Sequence, residues 1–312
     1  MKNKKRSINI ILALITLSFV FIGCNNKSHN KNETNTSNKV GVLLVNHGSH
    51  SPTWRKSLIE LEDSIRTEIL SNSKIEGIKT AFMEYTEPSI ATRLKEFDSE
   101  NYTDIILIPI FLTVSSHSFD DIPTIAGLKD DKHSIELLKI ENIERYKANA
   151  EIHITPLLDF ENILQKNVER RVSQLSKNTN NEGVVLIAYG DKGYNKEWSA
   201  LLEKVGSHVK ETIGIDEYSY GWCGHVAHYS PDSTTIAINE VLNKKEKAIV
   251  IPILVAHDEM FQIQIIGDGI KNVAESNQKV IYKPDSILPD KNVENWVVNI
   301  ANKYVEQISK TN

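Results

Sequence analysis

Apolar residues enter this chain in two rhythms. From Val40 the run "VGVLLVN" is almost continuously aliphatic, as expected of a strand covered on both faces, and then Leu58, Leu61, Ile65 and Ile69 recur at helical spacing. "IKTAFMEY" predicts a second strand, residues 88 to 98 a helix opened by Pro88, and "DIILIPIFL" a third strand. A charged stretch runs to about residue 149. "EIHITPL" then predicts a fourth strand, and a helix carrying Phe160, Ile163, Leu164, Val168 and Leu175 closes the segment.

After a polar linker, "SKNTNNE" over 176–182, the pattern starts again. "EGVVLIAYGD" echoes "VGVLLVNHGS", residues 194–212 read as a helix, "KAIVIPILVAHD" echoes "TDIILIPIFLTVSSH", and 290–309 form a closing helix. Two similar βα runs predict an α/β chain of two doubly wound, Rossmann-like parallel-sheet halves, over residues 40–176 and 183–312. A ligand is expected in the cleft between them, at the carboxyl ends of the strands.

The first residues break both rhythms. Lys2, Lys4, Lys5 and Arg6 precede an apolar run from Ile8 to Gly23, the order of a secretory signal, and "FIGC" resembles the lipobox of bacterial lipoproteins with Phe21 in place of the usual leucine. Residues 1–23 are expected to be removed and Cys24 lipidated. Residues 24–39 then form a disordered tether, since "NNKSHNKNETNTSN" offers no apolar side chain. The expected location is the cell envelope, anchored to a membrane and facing the periplasm or the exterior. Loss of four basic and no acidic side chains takes the net charge from −5 to −9, which argues against a nucleic-acid partner. Hydrophobic residues at 40% and charged residues at 25% are ordinary for a globular protein. With Cys24 lipidated, Cys223 is left without a disulfide partner.

His47 follows the first strand, in "VNHGSHSP", and His117 follows the third, so both belong at the same edge of a parallel sheet. Glu84 is expected to end the second strand beside them. Two imidazoles and a carboxylate suit a divalent transition metal with an open coordination position, and imidazole also accepts protons near neutral pH. Asp120 and Asp121 are placed either to orient a histidine or to cap the following helix. His50 and Glu87 read as rim or capping residues.

"LLVNHGSHSP", "AFMEYTEPSI" and "IPIFLTVSSHSFDDIP", in that order and spacing, resemble the sirohydrochlorin cobaltochelatase and ferrochelatase family of the CbiX type over about residues 40–125. The resemblance implies a chelatase fold and insertion of Co(II) or Fe(II), with Ni(II) also considered, into a tetrapyrrole without a nucleotide. It further implies that His47 and His117 bind metal and help deprotonate the macrocycle, with Glu84 at the matching acidic position.

The second half departs from this pattern: Tyr189 stands where the first has His47. "YGWCGHVAHYSPD" nevertheless offers His225 and His228, and His257 lies further on, as auxiliary metal or substrate residues; Tyr220 and Trp222 are candidates for stacking on a tetrapyrrole. Because one chain carries both halves, a monomer is expected. The export signal leaves open a different function: an envelope lipoprotein that binds a metal ion or tetrapyrrole for uptake or delivery without catalysis.

Overall fold

Four parallel strands, β1 (Val40–Asn46), β2 (Ile75–Phe82), β3 (Asp104–Pro109) and β4 (Glu151–Ile154), form one sheet in the order β2-β1-β3-β4. A second parallel sheet repeats that order as β6-β5-β7-β8, with β5 (Glu182–Ala188), β6 (Tyr218–Trp222), β7 (Lys247–Ile253) and β8 (Val280–Tyr282). The computed structural model describes residues 38–160 and 162–311. The expected signal, Cys24 and nearly all of the tether lie outside the described residues. No helix among the described residues is long and apolar enough to cross a membrane.

The helices are α1 (Pro52–Leu70), α2 (Ile90–Ser99), α3 (Ile122–Ile125), α4 (Lys132–Ile140), α5 (Ile163–Leu175), α6 (Asn195–Ile213), α7 (Asp232–Leu242), α8 (Ile266–Lys271), α9 (Ser276–Lys279) and α10 (Lys291–Thr311). The Ser51 hydroxyl accepts from the Trp54 amide to cap α1, Pro52 supplies a pre-set φ, and the predicted stripe of Leu58, Leu61, Ile65 and Ile69 is buried. Capping also corrects an expectation. Helix α2 starts at Ile90, two residues after Pro88, because the Ser89 hydroxyl accepts from the Thr92 amide and caps it. The charged stretch before residue 149 contains α4, capped by Asp131.

Strand alternation divides the core. Val42 and Leu44 on β1, with Val184 and Leu186 on β5, join one cluster shared by both sheets; Leu43 and Val45 face a second cluster, and Val185 and Ile187 a third. The shared cluster explains a second correction. Helix α5 follows the first sheet in sequence, yet packs on α6 and β7 of the second, while α10 returns to α1 and β3 of the first. Each half is thus closed by the other's helix.

Polar bonds fix that exchange. The Asn167 side chain donates to the Ile287 carbonyl at 3.1 Å and to Asp290 at 2.8 Å. Arg171, with 1% of its side chain exposed, donates to the Pro252 carbonyl at 2.8 Å and forms an ion pair with Asp285. Removing one partner of a buried pair strands the other charge, so Arg171→Ala is expected to cost about 3 kcal/mol. Urea unfolding measures this loss; an unchanged midpoint and slope would contradict the structural role assigned to α5.

Candidate active site at the mouth of the cleft

The register of the first sheet brings three strand ends to one level, since Asn46 pairs with Phe82 and Val45 with Pro109. With β1 between β2 and β3, the chain leaves the sheet on opposite sides of a crevice, the switch point at which parallel sheets bind ligands. β2 ends at Phe82, two residues before Glu84, which corrects the expectation that Glu84 is its last residue. Pairing nonetheless continues past the strand ends: the Met83 amide donates to the Asn46 carbonyl at 2.8 Å and the Glu84 amide to the His47 carbonyl at 3.0 Å. Gly48, at φ 107°, permits this approach, because a Cβ there would overlap the Glu84 carbonyl oxygen.

His47 Nε2 lies 2.8 Å from Glu84 Oε1, while its Nδ1 faces the Gly48 carbonyl at 3.0 Å. An Nδ1–H that donates to a carbonyl leaves Nε2 as the nitrogen for a metal, and without metal a proton bridges Nε2 and Glu84. His117 starts a π-helical turn, His117–Asp121, that runs into α3. The turn puts Asp121 Oδ2 at 2.9 Å from His117 Nδ1, again freeing Nε2. The two imidazole centroids are 4.7 Å apart and nearly perpendicular. One donor atom each from His47, Glu84 and His117 lies within 4.8 Å of the others.

Electrostatics prepare this cluster for a cation. Burial would raise the Glu84 carboxyl, but the His47 hydrogen bond and the charges of His47 and His117 hold it below the ordinary carboxylate range. Burial would lower His117; the Asp121 bond and charge, followed by Glu84, lift it above the ordinary imidazole range. Of the two aspartates, Asp121 orients the histidine, whereas Asp120 pairs with Lys129, and neither caps a helix through its side chain.

The cluster opens into a cavity of about 790 Å³ lined by loops of both halves. His50 and Tyr85 form its rim, with ring centroids 4.6 Å apart, while the Glu87 carboxylate accepts from the Ser89 amide in the turn before α2. Trp54 and Trp198 line it as well, and neither was singled out by the sequence pattern. Cross-cleft hydrogen bonds join the halves: Ser49 donates to Asp258 at 2.7 Å, Thr53 to Glu259 at 2.6 Å, and the Ser116 amide to Asp191 at 3.2 Å.

In the second half the predicted histidines separate. His225 lines the cavity; His228 and His257 are not among its lining residues, nor are Tyr220 and Trp222, which pack against the shared core. The counterpart of His117 is Met260, eight residues after Pro252 as His117 is eight after Pro109, and each begins a π-helical turn. Counting that offset identifies Met260 from the sequence, whereas His257 lies only five residues after Pro252. Gly224 takes the position of Glu84, its amide donating to the Tyr189 carbonyl at 3.1 Å. A Cβ there would come within 2.8 Å of the Tyr189 ring, so losing the carboxylate side chain makes room for the tyrosine.

One other cluster of metal-ligand type stands among the described residues: Asp104, Glu151 and His153, at the amino ends of β3 and β4. Both Asp104 oxygens are engaged there, by His153 at 2.9 Å and the Thr103 hydroxyl at 2.8 Å.

An anionic Asp121 stabilises the His117 imidazolium, so Asp121→Asn is expected to move the His117 titration to lower pH. Proton NMR of the metal-free protein measures it. Metal must displace that proton, so cobalt affinity is expected to fall as pH drops through the raised His117 value. A His117 titration unmoved by Asp121→Asn would contradict the coupling.

The CbiX family profile matches residues 41–175. A sirohydrochlorin cobaltochelatase of Methanococcoides burtonii is 36% identical over 92 residues, covering 30% of this chain and 67% of that protein. Its counterpart in Methanocaldococcus jannaschii is 30% identical over 92 residues, covering 30% and 62%. Among solved structures, the cobalt complex of the sirohydrochlorin chelatase SirB from Bacillus subtilis subspecies spizizenii superposes with a TM-score of 0.61 at 17% identity, over 86% of this chain and 96% of that one. SirB from Bacillus subtilis with Fe3+ gives 0.63 at 16%, over 87% and 98%. The family profile falls on the half that carries His47, Glu84 and His117, and the shared fold extends over both halves. The chain belongs to the sirohydrochlorin cobaltochelatase family of the CbiX type.

Proposed function

We propose that this protein inserts a divalent metal, cobalt or iron, into a sirohydrochlorin-like tetrapyrrole without a nucleotide. The observation that carries the reading is the convergence of His47, Glu84 and His117, with both histidines on the wall of a cavity within the size range of small-molecule sites. The metal is a substrate and has to be held loosely. Three protein donors of mixed nitrogen and oxygen type leave positions open for the macrocycle nitrogens.

Insertion replaces two pyrrole N–H protons with one dication, so the site must both release a metal and take up protons. The His47–Glu84 pair supports both roles. Its bridging proton leaves when a metal binds Nε2, and the pair is free to accept a proton again once the metal has moved into the ring. Asp121 holds the His117 ring with Nε2 directed away from the carboxylate. Cavity walls from two halves of one chain, bonded to each other across the cleft, support a monomer as the working unit.

The lipobox-like "FIGC" supports an anchored domain outside the cytoplasm, with Cys24 as the lipidated residue. The enzyme reading is preferred over a lipoprotein that delivers metal or tetrapyrrole without catalysis because the chain keeps both His47 and His117 within the part matched by the chelatase family.

His47→Ala and His117→Ala are each expected to lower the initial rate of cobalt insertion into sirohydrochlorin by on the order of 100-fold, with the circular dichroism spectrum unchanged. The absorbance change of the tetrapyrrole measures it, and wild-type turnover in either variant would rule out the mechanism. Metabolic labelling with a radioactive fatty acid is expected to mark the full-length protein and to be lost in Cys24→Ala; undiminished label in the variant would remove the anchor.

A further inference from the structure

The cavity has two walls of different chemistry. On the first half stand the metal-ligating side chains, and facing them on the second stand Tyr189, His225, Tyr229 and Phe261. Tyr189 occupies the position of His47, one residue beyond the central strand, and His225 that of Tyr85, next to the counterpart of Glu84. The second wall therefore projects from the same sheet edge as the first.

Three of its residues form a hydrogen-bonded chain. The Tyr189 and Tyr229 hydroxyls are 3.0 Å apart, and the Tyr229 hydroxyl meets the His225 ring at 3.1 Å from Nδ1 and 3.3 Å from Nε2. Phe261 packs against Tyr189 at 5.4 Å between centroids, completing the wall without a polar group. Tyr189 is half-buried, whereas Tyr229, at 36%, and His225 are exposed. The chain leads from the cavity interior to solvent.

Resting on the chelatase reading above, we propose that Tyr189, Tyr229 and His225 relay a pyrrole proton from the macrocycle face turned away from the metal to solvent. The N–H bond breaks and its electron pair stays on nitrogen, where it becomes the bond to the entering metal. The proton passes to the Tyr189 oxygen as Tyr189 hands its own to Tyr229, and Tyr229 hands its own to the His225 imidazole. Each hydroxyl ends with one proton, and His225 ends as an imidazolium that solvent deprotonates. The second pyrrole proton goes to the His47–Glu84 pair.

The protonation states agree with these roles. Partial desolvation beside the cavity, and then the charge of His117, hold the exposed His225 below the ordinary imidazole value against the opposing charges of Asp191 and Glu84, which favours the neutral ring that can accept. Burial and the Tyr229 hydrogen bond push the Tyr189 phenol up, so it keeps its proton and relays.

Two variants separate a relay from a packing wall. Tyr229→Phe keeps the ring and breaks the chain; His225→Gln keeps a hydrogen-bond partner for Tyr229 and removes the basic nitrogen. With cobalt and sirohydrochlorin, both are expected to lower kcat about 10-fold or more while the tetrapyrrole KM stays within about twofold. Calorimetric cobalt affinity is expected to match wild type, since neither residue is a ligand in the first-half cluster. Wild-type kcat in His225→Gln, or a loss confined to KM in both variants, overturns the relay and leaves the chelatase reading standing. A wild-type protein that inserts no metal overturns both.

Discussion

The site depends on two backbone hydrogen bonds made after β1 and β2 have formally ended. Parallel pairing carries on through the Met83 and Glu84 amides to the carbonyls of Asn46 and His47, and this holds a carboxylate against an imidazole with little freedom in either. The Glu84 side chain is 7% exposed, where an unpaired carboxylate would be costly, so it needs a proton on His47 or a metal ion. Gly48 makes the approach possible by having no Cβ to meet the Glu84 carbonyl. The chemistry of the pair follows from its place on a rigid sheet edge more than from the flexibility of a loop.

The same backbone device is present in the second half and serves another purpose. Cys223 and Gly224 donate to Ala188 and Tyr189 as Met83 and Glu84 donate to Asn46 and His47. Replacing glutamate by glycine empties the space beside the first strand, and a tyrosine ring fills it. The result is a duplicated scaffold with one metal-binding wall and one aromatic wall, held at a fixed spacing by the exchanged helices α5 and α10 and by the serine–carboxylate bonds across the mouth.

Much of the fold could be read from periodicity, because buried parallel strands are almost purely aliphatic and "VGVLLVN" and "KAIVIPI" have no competing reading. Strand ends and helix starts were less legible, since hydrogen bonds decide them: the Ser89 cap moved α2, and β2 stopped short of Glu84. The exchange of α5 and α10 was hidden because an amphipathic stripe declares that it is buried but not against which sheet. His47, Glu84 and His117 stood out as strand-end residues in recognisable motifs. Asp121 was legible only together with Asp120, and the π-helical turn, which no simple periodicity announces, chose between them. In the second half His228 and His257 misled, since neither lines the cavity, whereas His225 does so beside Tyr189 and Tyr229, residues whose type does not advertise chemistry.

Whether the first half alone seats the incoming metal can be tested by diffraction at the cobalt absorption edge from crystals of the protein soaked in Co(II) without tetrapyrrole. The account predicts a dominant anomalous peak bonded to His47 Nε2, His117 Nε2 and a Glu84 oxygen, at nitrogen and oxygen distances of about 2.0–2.2 Å if cobalt follows the values typical of zinc sites. A dominant peak at Asp104, Glu151 and His153, or on His225, with no density between His47 and Glu84, would contradict it.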